Sequence, residues 1–422
     1  MNWDNIYKML EKYTQYKHYQ VLFENIGLQK RASREDMLKE LHQEVAQGDL
    51  FGTLMPPEKL EEWLALHQID GNNHTFVYHL EYHLTPRIIQ ELYSTRNELT
   101  ELKLWDVDPD NDSEELPEVM PELDDIKLTG IHRNDEKRTH TFSFVAPCII
   151  TGSREDGASR LYKKMFFAHC VFLDGSKDFK VIFNPTSNLH NVNGVRKEKK
   201  HDWSPIANMI FEKVKTYIGN VQIKSPIWIP QALYEFAEDA TNHKNEEINS
   251  EAFKAEKKIE GFSEKLLKEA NIDTDKEPAL LTRLIQDIQL SFEAQLLEVH
   301  GSNDNEEEFS VFQQRSDGLT HVISVESTQE GLVGSAAQAA KRSRQDGDID
   351  MLGVNYKSNG RMYKFLVESG IDAYLIRGTN TFIEEEVVTI VVSRLNKYRG
   401  QIQAKTEYYS GNGEDASFIE AE

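Results

Sequence analysis

Apolar positions recur every three or four residues through the first hundred residues, which predicts a mainly helical module over 1–104. In "SREDMLKELHQEV", Met37, Leu38, Leu41 and Val45 share one face, Ser33 stands where an N-cap belongs, and Glu35 and Asp36 favour the first turn. "PPEKLEEWLALHQ" repeats the pattern, with Pro56 and Pro57 opening a helix whose stripe is Leu60, Trp63, Leu64 and His67. From Ile126 the period changes. "IKLTGI", "THTFSFVAPCII", "KKMFFAHCVFLD" and "FKVIFNP" read as strands, and "SPIANMIFEKVKTYIG" reads as one helix ended by Gly219. Residues 126–230 are therefore expected to form an α+β domain with an antiparallel sheet.

Helical spacing returns over 231–300 and predicts a helical hairpin. One arm carries Phe253, Ile259, Phe262, Leu266 and Leu267; the other carries Leu281, Leu284, Ile285, Ile288, Phe292, Leu296 and Val299. Over 309–400 strands and helices alternate: "HVISVES", "GLVGSAAQAAKRSRQ", "DIDMLGVNY", "GRMYKFLVE", "DAYLIRG" and "IEEEVVTIVVSRLNKYR". That order predicts parallel pairing in an α/β domain, with "GRMYKFLVE" helical and Gly370 its left-handed terminator. The expected class is thus multidomain, α+β and α/β. Acidic linkers at 105–125 and 301–308 divide it, and a flexible tail spans 401–422.

Composition narrows the picture. The chain has 422 residues, a net charge of −23 and two cysteines, Cys148 and Cys170, both in apolar runs. Buried thiols, with neither a signal-like start nor an apolar run of membrane length, point to a cytoplasmic protein that no membrane anchors. So acidic a surface has no long-range attraction for phosphate backbones, so any polyanion contact must be local. The alternating Asp106, Asp108, Asp110 and Asp112 do not make an EF-hand loop. Neither register puts Gly at the sixth position or Glu at the twelfth.

Four constellations could carry chemistry. Asp348, Asp350 and Glu368 match part of the acidic pattern of a metal-dependent nuclease, which would use Mg²⁺ or Mn²⁺. The Lys that such a centre places two residues after its Glu is replaced by Gly370. Arg196, Lys197, Lys199 and Lys200 beside Trp203 form a basic loop that could meet phosphates and stack a base. Glu326, Ser327, Thr328, Gly331, Gly334 and Ser335 lie where a strand runs into a helix and could cradle an anion with backbone N–H groups. His79, Glu81 and His83 alternate as an exposed polar strand face, without a further metal ligand nearby.

No constellation is complete, so no cofactor or metal is expected. The leading expectation is an interaction or regulatory subunit of a larger assembly, docking a protein partner or a second copy through the helical hairpin. The alternative is a divergent metal-dependent nuclease or phosphoesterase using the C-terminal domain, with nucleic acid also able to meet the basic loop.

Overall fold

The computed structural model describes residues 2–46, 52–109, 123–153, 159–197, 199, 202–241, 246–300, 308–318, 322–327, 331–332, 334–345, 347–358, 360–379 and 382–411. Most of both acidic linkers, and the end of the tail, lie outside these residues. The described part is a mixed helical and antiparallel-sheet protein, and the strand pairings within each unit are antiparallel. The chain divides into two compact units, Met1–Pro226 with Gly370–Thr389, and Ile227–Ser369 with Ile390–Glu422.

The first unit begins with α1 (Trp3–Tyr13), α2 (Tyr16–Ile26), α3 (Arg34–Ala46) and α4 (Pro57–Leu66). The Ser33 hydroxyl accepts the Asp36 N–H at 3.1 Å, so the cap read from the sequence forms. Next come β1 (His74–Leu80), α5 (Pro86–Leu99), β2 (Lys127–Asn134), β3 (Thr139–Ser153), β4 (Ser159–Leu173), β5 (Asp178–Phe183), β6 (Leu189–Val192), α6 (Ser204–Ile218) and β7 (Ile223–Lys224). The sheet runs β2-β3-β4-β5-β1, with β6 beside β3 and β7 beside β1. A later strand, Ala373–Gly378, adds to the free side of β1.

Helices cover both faces of this sheet. Ile206, Ile210, Phe211 and Val214 of α6 pack with Phe76, Phe142, Phe144, Phe166 and Phe183 on one face. Met9, Phe23, Leu41 and Leu64 pack with Val145, Met165 and Phe167 on the other. Strands buried on both faces lose the polar alternation, which is why "FVAPCII" and "FFAHCVF" are apolar throughout. Each fully buried Phe contributes about 2 kcal/mol.

Burial corrects one expectation. β1 is a central strand, so His79 is not on an exposed face; it is buried and pairs with Asp178 at 3.1 Å. Glu81 and His83 lie beyond the end of β1.

The second unit contains α7 (Ile229–Thr241), α8 (Glu246–Glu269), α9 (Pro278–His300), β8 (Phe309–Gly318), β9 (Val322–Glu326), α10 (Gly334–Gln345), β10 (Gly347–Ser358) and β11 (Arg361–Glu368). The strand Ala373–Gly378 is β12, and α11 (Glu385–Gly411) closes the described chain. Within this unit the order is β9-β8-β10-β11, antiparallel throughout. The expected parallel α/β order is therefore wrong in two respects. Residues 309–318 form a strand that the alternation overlooked, and "GRMYKFLVE" is β11, joined to β10 by a tight turn at Gly360 (φ 72°). The helical reading of Met362, Phe365 and Leu366 failed because both faces of β11 carry apolar residues. Tyr363, Phe365 and Val367 are buried, and so is Leu366, which packs with Phe312 and Met351. Gly370 does not cap a helix; a Cβ there would come within 2.1 Å of the Ala373 carbonyl oxygen.

The start of α11 is held in the first unit by buried charge. Lys180 on β5, 1% exposed, pairs with Glu385 and donates to the Thr389 hydroxyl at 2.6 Å. Burial alone would raise the Glu385 pKa, but the charge and hydrogen bond of Lys180 hold it below the usual range. The Asp70 carboxylate accepts the Glu385 N–H at 2.8 Å. Burial pushes the Asp70 pKa up to about 7, with the nearby Glu384 and Glu385 adding to the rise.

Candidate functional site

The acidic pair occupies one region of the second unit's sheet. Asp350 sits at a bulge, because Ile349 pairs with Ser316 and Met351 with Arg315, leaving no β8 partner for the residue between them. Glu368 lies opposite Met351 on β11. Arg315 spans the group: its Nε donates to both Asp350 carboxylate oxygens at 2.9 Å, and Nη2 lies 2.8 Å from Oδ2. That hydrogen bonding raises the Arg315 pKa, and the charges of Asp350, Glu368 and Asp317 add to the rise. Asp348 pairs with Asp317 across β8 and β10. The fold brings Asp350, Glu368 and Asp317 around a guanidinium already committed to Asp350. Among the described residues no group of three or more His, Cys, Asp and Glu is arranged to hold a metal ion. A Mg²⁺ or Mn²⁺ ion at Asp350 would have to displace Arg315 from its carboxylate.

Described residues on both sides of the predicted anion loop are bonded to β8. Ser327 N–H donates to the Phe312 carbonyl at 2.9 Å and Leu332 N–H to Val311 at 2.6 Å, so these donors are committed to the protein. Glu326 ends β9, Gly331 packs beside Ser310, and Gly334 starts α10 with φ 54°. Thr328 and the Ser335 side chain lie outside the described residues.

In the basic loop Arg196 and Lys199 are exposed, and Lys200 lies outside the described residues. Trp203 is only 5% exposed and belongs to the core under α6, with the Lys197 ammonium 4.9 Å from its ring centre. It is not available for stacking a base.

α8 and α9 pack against each other, and the apolar stripe of α9 is incompletely covered. Leu281, Leu284, Ile285, Ile288, Phe292 and Leu296 of α9 are all half-buried, and Ala294 is the buried residue described there. On α8, Phe253 is 76% exposed and Phe262 56%. Phe253, Ile259 and Phe292 line a groove of about 240 Å³ between the two helices, with Glu256, Gln289 and Glu293 at its polar margin. Polar links tie α9 to α10: Gln338 to Ser291 at 2.9 Å and Arg342 to Asp287 at 3.1 Å.

Two further clusters escaped the sequence reading. Arg344, buried on α10, donates to Glu238 at 2.6 Å, Thr241 at 2.8 Å and Gln314 at 3.1 Å. Gln314 in turn donates to Ser316, Ser343 and the Ala340 carbonyl. A network this fully paired anchors α7 and α10 to β8 rather than awaiting a ligand. In the first unit, His132 faces a cavity of about 280 Å³ that Glu61, Glu62, Arg96, Lys103 and Trp105 also line. The His132 ring fits there because residue 130 is Gly; a Cβ would stand 2.6 Å from its Nε2. Nothing in the local sequence signals either cluster, since each joins residues far apart in the chain.

No protein family matches the chain, and comparisons with curated proteins and with solved structures found no similar protein. Among the described residues no helix is long and apolar enough to cross a membrane.

Proposed function

We infer that the protein is an interaction subunit that docks an apolar-faced protein partner, or a second copy of itself, on the α8–α9 hairpin. The observation that carries this reading is the apolar stripe of α9, half-buried from Leu281 to Leu296 with Val299 exposed beyond, and the exposed Phe253 and Phe262 of α8. A helix whose stripe serves only its own core buries it; contiguous exposed apolar surface marks a contact site. Helix-in-groove recognition uses anchors spaced as Leu281, Leu284, Ile285, Ile288 and Phe292 are.

The test is Ile288→Glu with Phe292→Glu, followed by sedimentation velocity and thermal unfolding of the full chain. The double variant is expected to stay folded and to lose association. A folded variant with unchanged association would refute the docking reading, and loss of the fold would make the stripe a core.

The second reading, a metal-dependent nuclease or phosphoesterase, draws on the placement of Asp350 and Glu368 on paired strands. It requires a cation to displace Arg315 from Asp350, which sets it behind the first.

A further inference from the structure

The cavity beside His132 is built by elements far apart in the chain. α4 contributes Glu58, Glu61 and Glu62, which stand at spacings of three and four residues and so share a face. Arg96, Asn97 and Thr100 come from the end of α5, and Lys103 and Trp105 from the turn that follows it. β2 supplies the stretch from Thr129 to His132. There β2 bulges between Leu128 and Gly130, a distortion over-represented beside functional sites. The apolar part of the lining is buried, with Ile6, Leu60, Leu64, Leu104 and Ile131 each at most 6% exposed.

The polar groups divide by charge and by whether they are engaged. α4 supplies the carboxylates, while α5 and the turn after it supply the cations. Two contacts already link them. Lys103 lies 3.4 Å from Glu61, with its ammonium 5.4 Å from the Trp105 ring centre, and His132 Nδ1 lies 3.7 Å from Glu62. The Thr129 and Thr100 hydroxyls donate to the Ser143 and Arg96 carbonyls at 3.0 and 2.9 Å. Other groups are not engaged. Glu58, Arg96 and Asn97 are exposed, and their side chains form no hydrogen bond or ion pair with a described residue. His132 Nε2 is a buried atom without a hydrogen-bond partner, which native folds rarely leave. His132 and the charge of Arg96 hold the Glu62 pKa below the usual carboxylate range, so Glu62 stands as an anion beside the cavity.

We propose that this cavity binds a free amino acid with an apolar side chain. Arg96 takes the α-carboxylate, Glu58 and Glu62 take the α-ammonium, and the side chain lies against Leu60, Leu64 and Ile131. The charge pattern selects this class. A simple anion would meet three carboxylates and a simple cation would meet Arg96 and Lys103, whereas a zwitterion finds a complement for each of its charges. The guanidinium of Arg96 suits a carboxylate, which it accepts as a pair of parallel hydrogen bonds. Size agrees, since about 280 Å³ falls just below the roughly 300–1,000 Å³ of sites for drug-sized ligands. The site belongs wholly to the first unit, so it stands or falls independently of the α8–α9 hairpin.

The experiment is isothermal titration calorimetry of the full chain with L-leucine and L-phenylalanine, set against three comparators. Leucinamide lacks the carboxylate, N-acetylleucine lacks the ammonium, and glycine lacks the side chain. Leucine or phenylalanine should bind with a dissociation constant below about 10 mM, and each comparator about tenfold more weakly. Arg96→Gln should weaken leucine binding about tenfold and leave leucinamide unchanged, because the lost partner is the carboxylate's. Glu58→Gln with Glu62→Gln should weaken leucine in the same way and leave N-acetylleucine unchanged. All three positions are exposed, and unfolding temperatures confirm that the variants are folded. The absence of saturable binding of either amino acid up to about 10 mM overturns the proposal. So does a comparator that binds as tightly as leucine. Leucine binding that Arg96→Gln leaves unchanged places the ligand elsewhere and overturns the site.

Discussion

Asp70 offers a perturbation whose size and sign follow from the structure. Its side chain is half-buried, accepts the Glu385 N–H at the start of α11, and titrates at about 7 instead of 3.8. The rise of about three units corresponds to about 4 kcal/mol that the folded state loses when Asp70 is ionised. The Glu385 N–H favours the anion, but burial outweighs it in setting that value. The sign follows from proton binding. Between about pH 4 and pH 7 the folded state holds a proton that the unfolded state has lost, so stability falls as pH rises and levels off above 7. Asn keeps an oxygen for the Glu385 N–H and cannot ionise. Asp70→Asn should therefore match wild type near pH 4, gain about 1.4 kcal/mol per pH unit, and be about 4 kcal/mol more stable above pH 7. Urea unfolding of both proteins at several pH values measures this. A variant equally or less stable than wild type at pH 8 would refute the reasoning and make Asp70 an anion favoured by the helix terminus and by the charge of Lys137, which acts to lower its pKa.

Gly370→Ala should cost about 2 kcal/mol in urea unfolding, because the new Cβ meets the Ala373 backbone carbonyl, which cannot swing away as a side chain would. Mg²⁺ or Mn²⁺ should leave the unfolding temperatures of wild type and Asp350→Asn equally unchanged, since Arg315 already occupies the carboxylate. A rise in wild type alone would bring the metal-dependent reading forward.

Local signals carried much of the fold. The Ser33 cap, the prolines opening α4, the Phe-rich strands of the first unit and the two arms of the hairpin all follow from spacing within a dozen residues. What failed depends on distant partners. β11 looked helical because Leu366 finds Phe312 and Met351 on one face while Phe365 and Val367 are buried on the other, and β8 went unrecognised with it. His79 looked exposed because its alternation is polar, yet β1 lies between β5 and β12 with Asp178 supplied from β5. The candidate residues show the same limit. The sequence paired Asp350 with Glu368 but held no sign that Arg315 would join them, and it joined Trp203 to a loop whose ring the core takes.

The central claim is that the α8–α9 hairpin meets another polypeptide, and site-specific photo-crosslinking tests it most directly. A benzophenone amino acid would replace Phe253 or Phe262 in cells that make the protein, with Tyr82 and Ile371 as controls. The controls are 73% and 84% exposed and lie outside the hairpin, so exposure alone cannot explain a difference. The account predicts a discrete crosslinked product, to a second copy or to a distinct protein, from positions 253 and 262 and none from the controls. Hairpin positions that crosslink no more than Tyr82 and Ile371 would contradict it.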